Sequence, residues 1–210
     1  MKKRYIYLIR HGETDANKND IYQGKGLDPP LNETGERQAK LLAEFLASDY
    51  SKISKIVSSP AMRAQQTAYI IYQYVGVGIA IEDGLHEIDH GDWEGKTASE
   101  VAIKYPELAK KWWSCIDPLS INFPGGEKIK DAVDRIWATF LRILVTHKDK
   151  HLAIVAHGGT NAIILSKILE AKNFRNISQS NTAFNIIKQR DNIFKIKLVN
   201  SVAHLPKSAS

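Results

Sequence analysis

Two apolar runs in this chain, Tyr5-Ile6-Tyr7-Leu8-Ile9 and His151-Leu152-Ala153-Ile154-Val155-Ala156, end alike, on a histidine followed by glycine. The first closes on Arg10-His11-Gly12 and the second on His157-Gly158-Gly159. Their length and β-branching predict buried strands. A third run, Lys55 to Ser59, predicts a strand that stops before Pro60, with Arg63 just beyond. Helical spacing fills the intervals. Asn32 is a candidate cap for a helix carrying Gln38, Leu41, Leu42, Phe45 and Leu46, and a helix over 61–74 puts Ala61, Ala64, Ala68, Ile71 and Tyr72 on one face. Ile129, Ala132, Val133, Ile136, Phe140, Ile143 and Leu144 mark one long amphipathic helix. A helix is expected over 160–169, an edge strand over 78–81, and a hairpin pairing 183–189 with 193–199. Strands alternating with helices predict a three-layer α/β/α sandwich around a mostly parallel sheet.

With 210 residues, one domain over 1–210 is expected. The Trp-, Asp- and Gly-rich stretch 87–124 reads as a lid-like insertion, and 200–210 as a tail whose last residues, 207–210, fray. The net charge of +6 comes from scattered lysines and arginines without a basic run, which argues against a nucleic-acid partner. Cys115 is the only cysteine, so neither an internal disulfide nor a cysteine-based zinc site is expected, and a reducing, cytoplasmic setting fits. The apolar run after Met1-Lys2-Lys3-Arg4 is too short for a signal peptide, and no run is long enough to span a membrane.

In open α/β sheets, ligands collect at the carboxyl ends of the strands. If the three strands are neighbours, Arg10, His11, Arg63 and His157 converge there. The adjoining glycines are expected to let backbone approach a ligand. The helix starts after Pro60 and Gly159 are expected to aim free amides at it. Paired arginines, histidines and amides suit a tetrahedral oxyanion, above all phosphate.

The motif Arg10-His11-Gly12-Glu13-Thr14 resembles the signature of the histidine phosphatase superfamily, the phosphoglycerate mutase-like fold. Further stretches follow in that family's order: Gln23-Gly24, Leu31-Asn32 with Gly35, Ser58 to Ala68, Leu85 to Gly95, Phe123 to Glu127 and Val155 to Thr160. The resemblance implies His11 as the nucleophile that becomes phosphohistidine. It implies Arg10, Arg63 and His157 as holders of the phosphoryl group, and Glu87 as the acid that protonates the leaving oxygen. Asn17, Gln23, Gly24 and Gly158 would line the phosphate site, with Glu13 close by. The second imidazole nitrogen of His11 is expected to donate to a backbone carbonyl, which would fix the tautomer. Neither metal nor other cofactor is implied.

The segment from Gly95 to Phe123 is short, with Lys104, Lys110 and Lys111 scattered among apolar and acidic neighbours, which favours a phosphatase over a mutase. The expected substrate is a small anionic phosphate monoester, with phosphoserine leading because Glu87-Ile88-Asp89-His90-Gly91 and the 200–205 tail resemble metal-independent phosphoserine phosphatases. In that reading His90 and His204 are substrate-binding candidates, as donors to a carboxylate. An α-ribazole-5'-phosphate phosphatase or a broad-specificity sugar-phosphate phosphatase is the alternative. A mutase and a non-catalytic phospholigand scaffold rank below. No membrane partner is expected, and a homodimer through the C-terminal hairpin is allowed but not required. Trp93, Trp112 and Trp113 are expected to pack the lid.

Overall fold

Alternation along strand β1 (Lys3–Arg10) sends Ile6 and Leu8 into one apolar layer and Tyr7 and Ile9 into the other. That single strand therefore separates two cores. In the computed structural model, which describes residues 3–50, 52–114 and 116–206, both faces of the sheet are covered. Cys115 and the expected frayed end at 207–210 lie outside the described residues.

After β1 come a short helix α1 (Asp15–Lys18), helix α2 (Glu33–Asp49), strand β2 (Lys55–Ser58), helix α3 (Met62–Val75) and strand β3 (Ile79–Ile81). Helices α4 (Ala98–Lys104) and α5 (Pro106–Ser114) occupy the lid-like stretch. Then follow α6 (Ile129–Thr146), β4 (His151–Ala156), α7 (Gly158–Leu169), β5 (Phe184–Arg190) and β6 (Ile193–Ser201). The six strands lie in the order β3-β2-β4-β1-β5-β6. The first four run parallel; β5 pairs antiparallel with β1, and β6 antiparallel with β5. This is the α/β sandwich with a mostly parallel sheet that the strand–helix alternation predicts.

Helices α2 and α3 cover one face, where Leu42, Leu46, Ala64, Ala68 and Ile71 pack on Tyr7, Ile9 and Val155. Helices α5, α6 and α7 cover the other, where Trp112, Ile136, Phe140 and Ile163 pack on Ile6, Leu8 and Ile154. Asn32 caps α2 as expected, its side chain accepting from Gly35 N at 2.8 Å. Two details differ from the sequence reading. Residues 14–18 form a helical turn with a Thr14–Asn17 capping box, too short to leave a periodic signal. Helix α7 begins at Gly158, two residues earlier than expected, because His157 takes the cap position. Among the described residues no helix is long and apolar enough to cross a membrane.

Candidate active site

The central strands β2, β4 and β1 are neighbours, so their carboxyl ends bring Ser59, His157 and the Arg10-His11 pair together. The rings of His11 and His157 stand edge to face, centroids 5.2 Å apart. Arg63, in the first turn of α3 and 1% exposed, donates from Nε to His11 Nε2 at 3.3 Å. His11 Nδ1 lies 2.7 Å from Gly12 O. A carbonyl can only accept, so Nδ1 carries the proton and Nε2 presents its lone pair. Burial first, then the charges of Arg10 and Arg63, hold the His11 pKa well below the usual imidazole value. Burial and the charge of Arg63 do the same to His157. Both rings are neutral at pH 7.

Two buried donors beside His11 have no partner. Arg10 gives Nη1 to Gln179 O at 2.6 Å, but its Nε is unpaired. His157 Nε2 lies 2.7 Å from Ser59 Oγ, while its Nδ1 is unpaired. Ser59 Oγ also receives the Ala61 amide, so its own proton is free for His157 Nε2, and that leaves the His157 proton on Nδ1. Leaving a buried donor unpaired costs about 1–3 kcal/mol, and an acceptor oxygen at this spot recovers it.

Glu87 is adjacent but its setting differs from the expected one. Its carboxylate oxygens accept from Gly159 N at 2.9 Å, Thr160 N at 3.0 Å, Ile88 N at 3.0 Å and Thr160 Oγ1 at 3.3 Å. The start of α7, expected to offer free amides to an anion, is thus occupied by Glu87 itself. Asp28 does the same at the start of α3, accepting from Met62 N at 2.8 Å and 3.0 Å. In both places a helix dipole is matched by a carboxylate of the chain. Arg135 on α6 fixes the Glu87 segment by donating to Gly84 O at 2.9 Å and His86 O at 3.1 Å, while pairing with Glu127 at 2.6 Å. This explains the Phe123-to-Glu127 motif: Glu127 orients Arg135 and accepts from Asp89 N.

The role expected of Gly12 is also corrected. A Cβ there would stand 2.5 Å from Gly35 O, so glycine is required by the packing of the α2 start and not by a ligand's approach. Gly158 does face the cradle, since a Cβ would sit 3.6 Å from Arg10 Nε. Gly24 O accepts from Arg63 Nη2 at 3.0 Å, and Gln23 Oε1 accepts from Thr14 Oγ1 at 2.9 Å. Asn17 is tied through Oδ1 to Thr14 and to Asn181 Nδ2. Glu13 turns to Asn32 Nδ2 at 2.9 Å, a link to the α2 cap. Glu94 accepts from His90 N and Leu27 N, tying the lid-like stretch to the loop whose carbonyls hold Arg63.

One part of the site left no mark on the sequence reading. Loop residues 179–182 reach under β1: Gln179 O takes Arg10, and Thr182 N and Asn181 Nδ2 both donate to His11 O. Asn185 braces that loop, donating to Leu8 O and Gln179 Oε1. The only available signal was a run of small polar residues, Ser178-Gln179-Ser180-Asn181-Thr182, which has no periodicity.

His90 and His204 depart from their expected roles as carboxylate donors. His90 Nδ1 lies 2.8 Å from Gln23 O, so the proton sits on Nδ1, and Nε2 of the neutral ring can only accept. Burial holds the His90 pKa below the usual value, which favours that neutral form. His204 packs on Phe45 and Phe184. Its Nε2 donates to Thr182 Oγ1 at 2.9 Å, because that hydroxyl already gives its proton to Asn181 O. His204 therefore supports the loop under His11. Burial lowers its pKa from 6.5 to about 4. The unfolded chain binds the extra proton first, so between pH 6.5 and about 4 stability falls as pH falls. His11 and His157 act in the same direction. Thermal midpoints measured across that range are expected to drop, and His204→Asn to shallow the slope; a flat profile sinks this assignment. Trp93 and Trp112 are buried in the lid side of the core, while Trp113 stays 40% exposed.

Among the described residues no cluster of His, Cys, Asp and Glu is arranged to hold a metal ion. The model of the histidine phosphatase superfamily (branch 1) matches residues 6–202. Phosphoserine phosphatase 1 of Hydrogenobacter thermophilus is 31% identical over 202 residues, spanning 95% of this chain and 93% of that one. The metal-independent phosphoserine phosphatase of Arabidopsis thaliana is 31% identical over 201 residues, 95% of this chain and 82% of the plant protein. The solved structure of Bacillus stearothermophilus YhfR superposes with a TM-score of 0.86 at 27% identity, covering 96% of this chain and 98% of that one.

Proposed function

The chain belongs to the histidine phosphatase superfamily and is a phosphatase of small phosphate monoesters, and from that premise we propose that it transfers the phosphoryl group to His11 and releases a carboxylate-bearing alcohol, serine from phosphoserine being the leading case. The observation that carries the His11 assignment is the pair of unpaired buried donors, Arg10 Nε and His157 Nδ1, on either side of a neutral imidazole. Phosphoryl oxygens satisfy both. In the first half-reaction the P–O ester bond breaks as the His11 Nε2–P bond forms, so Arg63 Nε passes from the Nε2 lone pair to a phosphoryl oxygen. Such transfer is carried mainly by positioning and charge stabilisation, which the guanidiniums of Arg10 and Arg63 and the imidazole of His157 supply.

The leaving alkoxide needs a proton. Glu87 is the donor in this reading: a proton brought in by the phosphate monoanion passes to it and on to the ester oxygen. The amides of Gly159 and Thr160 hold its carboxyl in place meanwhile. In the second half-reaction water attacks the phosphohistidine and the His11 Nε2–P bond breaks; Glu87 takes the water's proton and passes it to the departing phosphate, which restores the carboxylate. Cytoplasmic location is part of the same reading, from the single cysteine.

For the substrate, two relatives named phosphoserine phosphatase at 31% identity point to phosphoserine. His90 adds a chemical reason, since an unprotonated Nε2 suits a leaving group with an ammonium or hydroxyl donor. A panel of phosphoserine, α-ribazole phosphate, phosphoglycerates, sugar phosphates and p-nitrophenyl phosphate tests this. Phosphoserine is expected to give the highest kcat/KM, by about 10-fold or more. The phosphoserine assignment fails if that ester turns over no faster than the aryl phosphate.

A further inference from the structure

Beside the cradle stands a group of side chains that the phosphoryl chemistry does not use. The guanidinium carbon of Arg175 lies over the Trp112 indole, 3.8 Å from the ring centre. Its Nη1 is buried and has no hydrogen-bond partner, and among the described residues no carboxylate pairs with it. The Trp112 and Tyr22 rings both flank His90, with centroids 6.2 Å and 5.6 Å from its own, which puts the Tyr22 hydroxyl in the same cluster. That hydroxyl receives Trp113 Nε1 at 3.0 Å and the Trp112 indole as well. Indoles only donate, so the Tyr22 oxygen accepts from both and its own proton remains to be given. Burial raises the Tyr22 pKa, so the phenol keeps that proton at neutral pH.

The cluster thus holds an O–H with a proton to give and a guanidinium N–H without a partner. A guanidinium stacked on an aromatic face keeps its N–H groups in the ring plane's direction, free to fork onto a carboxylate. A buried guanidinium N–H without a partner is costly, and a ligand carboxylate removes that cost. The placement is next to the chemistry. Tyr22 directly precedes Gln23 and Gly24, whose carbonyls meet His90 and Arg63, and its ring lies 5.6 Å from that of His90. Arg175 is in the short turn Phe174–Asn176, just ahead of Gln179, whose carbonyl takes Arg10.

We propose that Tyr22 and Arg175 form the subsite for a carboxylate on the leaving alcohol. The assignment rests on the phosphatase reading above and restricts its substrates to esters whose alcohol carries that group. It moves the donor function expected of His90 and His204 to residues with protons to give, and leaves His90 Nε2 as the neighbouring acceptor.

Matched esters test it: phosphoserine against phosphoethanolamine, where the carboxylate is lost, and 3-phosphoglycerate against glycerol 3-phosphate, where a hydroxymethyl replaces it. The wild-type enzyme is expected to prefer the carboxylate-bearing member by about 30-fold in kcat/KM. Arg175→Met is expected to erase most of that ratio, chiefly through KM, and Tyr22→Phe to reduce it by about 5-fold. Arg175→Gln, which keeps a planar head on Trp112, gives the same reading if the methionine variant does not fold by circular dichroism. Which pair shows the larger ratio tells serine-type from glycerate-type alcohols. A wild-type ratio near one, or a loss in Arg175→Gln that is equal for both members of a pair, overturns the subsite while leaving the phosphatase reading intact. If wild type hydrolyses none of the four esters nor p-nitrophenyl phosphate, the phosphatase reading itself fails.

Discussion

His11→Ala is expected to lower kcat by at least about 10⁴-fold and to abolish the acid-labile phosphoenzyme that forms when labelled substrate is mixed with wild type and quenched. The reason lies in the division of labour at the site. Arg10, Arg63 and His157 are anchored by partners other than the His11 ring: Gln179 O, the carbonyls of Gly24 and Leu27, and Ser59 Oγ. Removing the imidazole therefore takes away the attacking nitrogen and leaves the oxyanion donors in position. Phosphate or vanadate is still expected to bind His11→Ala, measured by titration calorimetry, with the thermal midpoint as a folding check. Turnover that survives the substitution, or a phosphoenzyme that still forms on another residue, removes His11 from the mechanism.

Glu87→Gln is the second large effect, and its signature is a difference between substrates. An alkyl ester such as phosphoserine leaves as a strongly basic alkoxide and needs a proton donor, whereas p-nitrophenolate leaves without one. The expected loss in kcat is about 10³-fold for phosphoserine and about 10-fold for the aryl ester. Glutamine can place its one oxygen where Oε1 accepts Thr160 N and Ile88 N, while its NH2 then faces the Gly159 amide that Oε2 accepted, so the thermal midpoint of the variant is the folding check. A loss of the same size for both esters shows that Glu87 acts only as the cap of that helix. Gly159 bears on the same point: a Cβ there would stand 2.6 Å from Glu87 Oε1, so the carboxylate and the glycine are packed as a unit.

The fold was legible because its signals are local. Apolar β-branched runs, a helix-cap asparagine and the spacing of Ile129 to Leu144 each act within a few residues, and the sheet and both covering layers follow from them. Arg10, His11, Arg63 and His157 were legible for a related reason: they sit at or just beyond strand ends, where side chains of neighbouring parallel strands can meet. Glu87 was marked only by the family resemblance of its motif. The glycines misled because a missing Cβ has two uses that look alike in sequence. At Gly12 it admits the backbone of Gly35, and at Gly158 it leaves room for Arg10.

What the sequence by itself determined is the α/β layering and the placing of two histidines and two arginines at or just beyond strand ends, since alternation and helical spacing are short-range pattern; that those strands lie side by side was decided by the sheet order. Tertiary structure alone decided the protonation and direction of each polar group. Gly12 O, Ser59 Oγ, Gln23 O and Thr182 Oγ1 are the atoms that assign the protons of His11, His157, His90 and His204. The loop under β1 belongs to the same class: it joins residues more than 150 positions apart, and hydrogen bonds of that kind leave no period in a sequence. A helix or strand repeats its rule along the chain, whereas a hydrogen bond between loops is a single event fixed only by where the packed core puts its two ends.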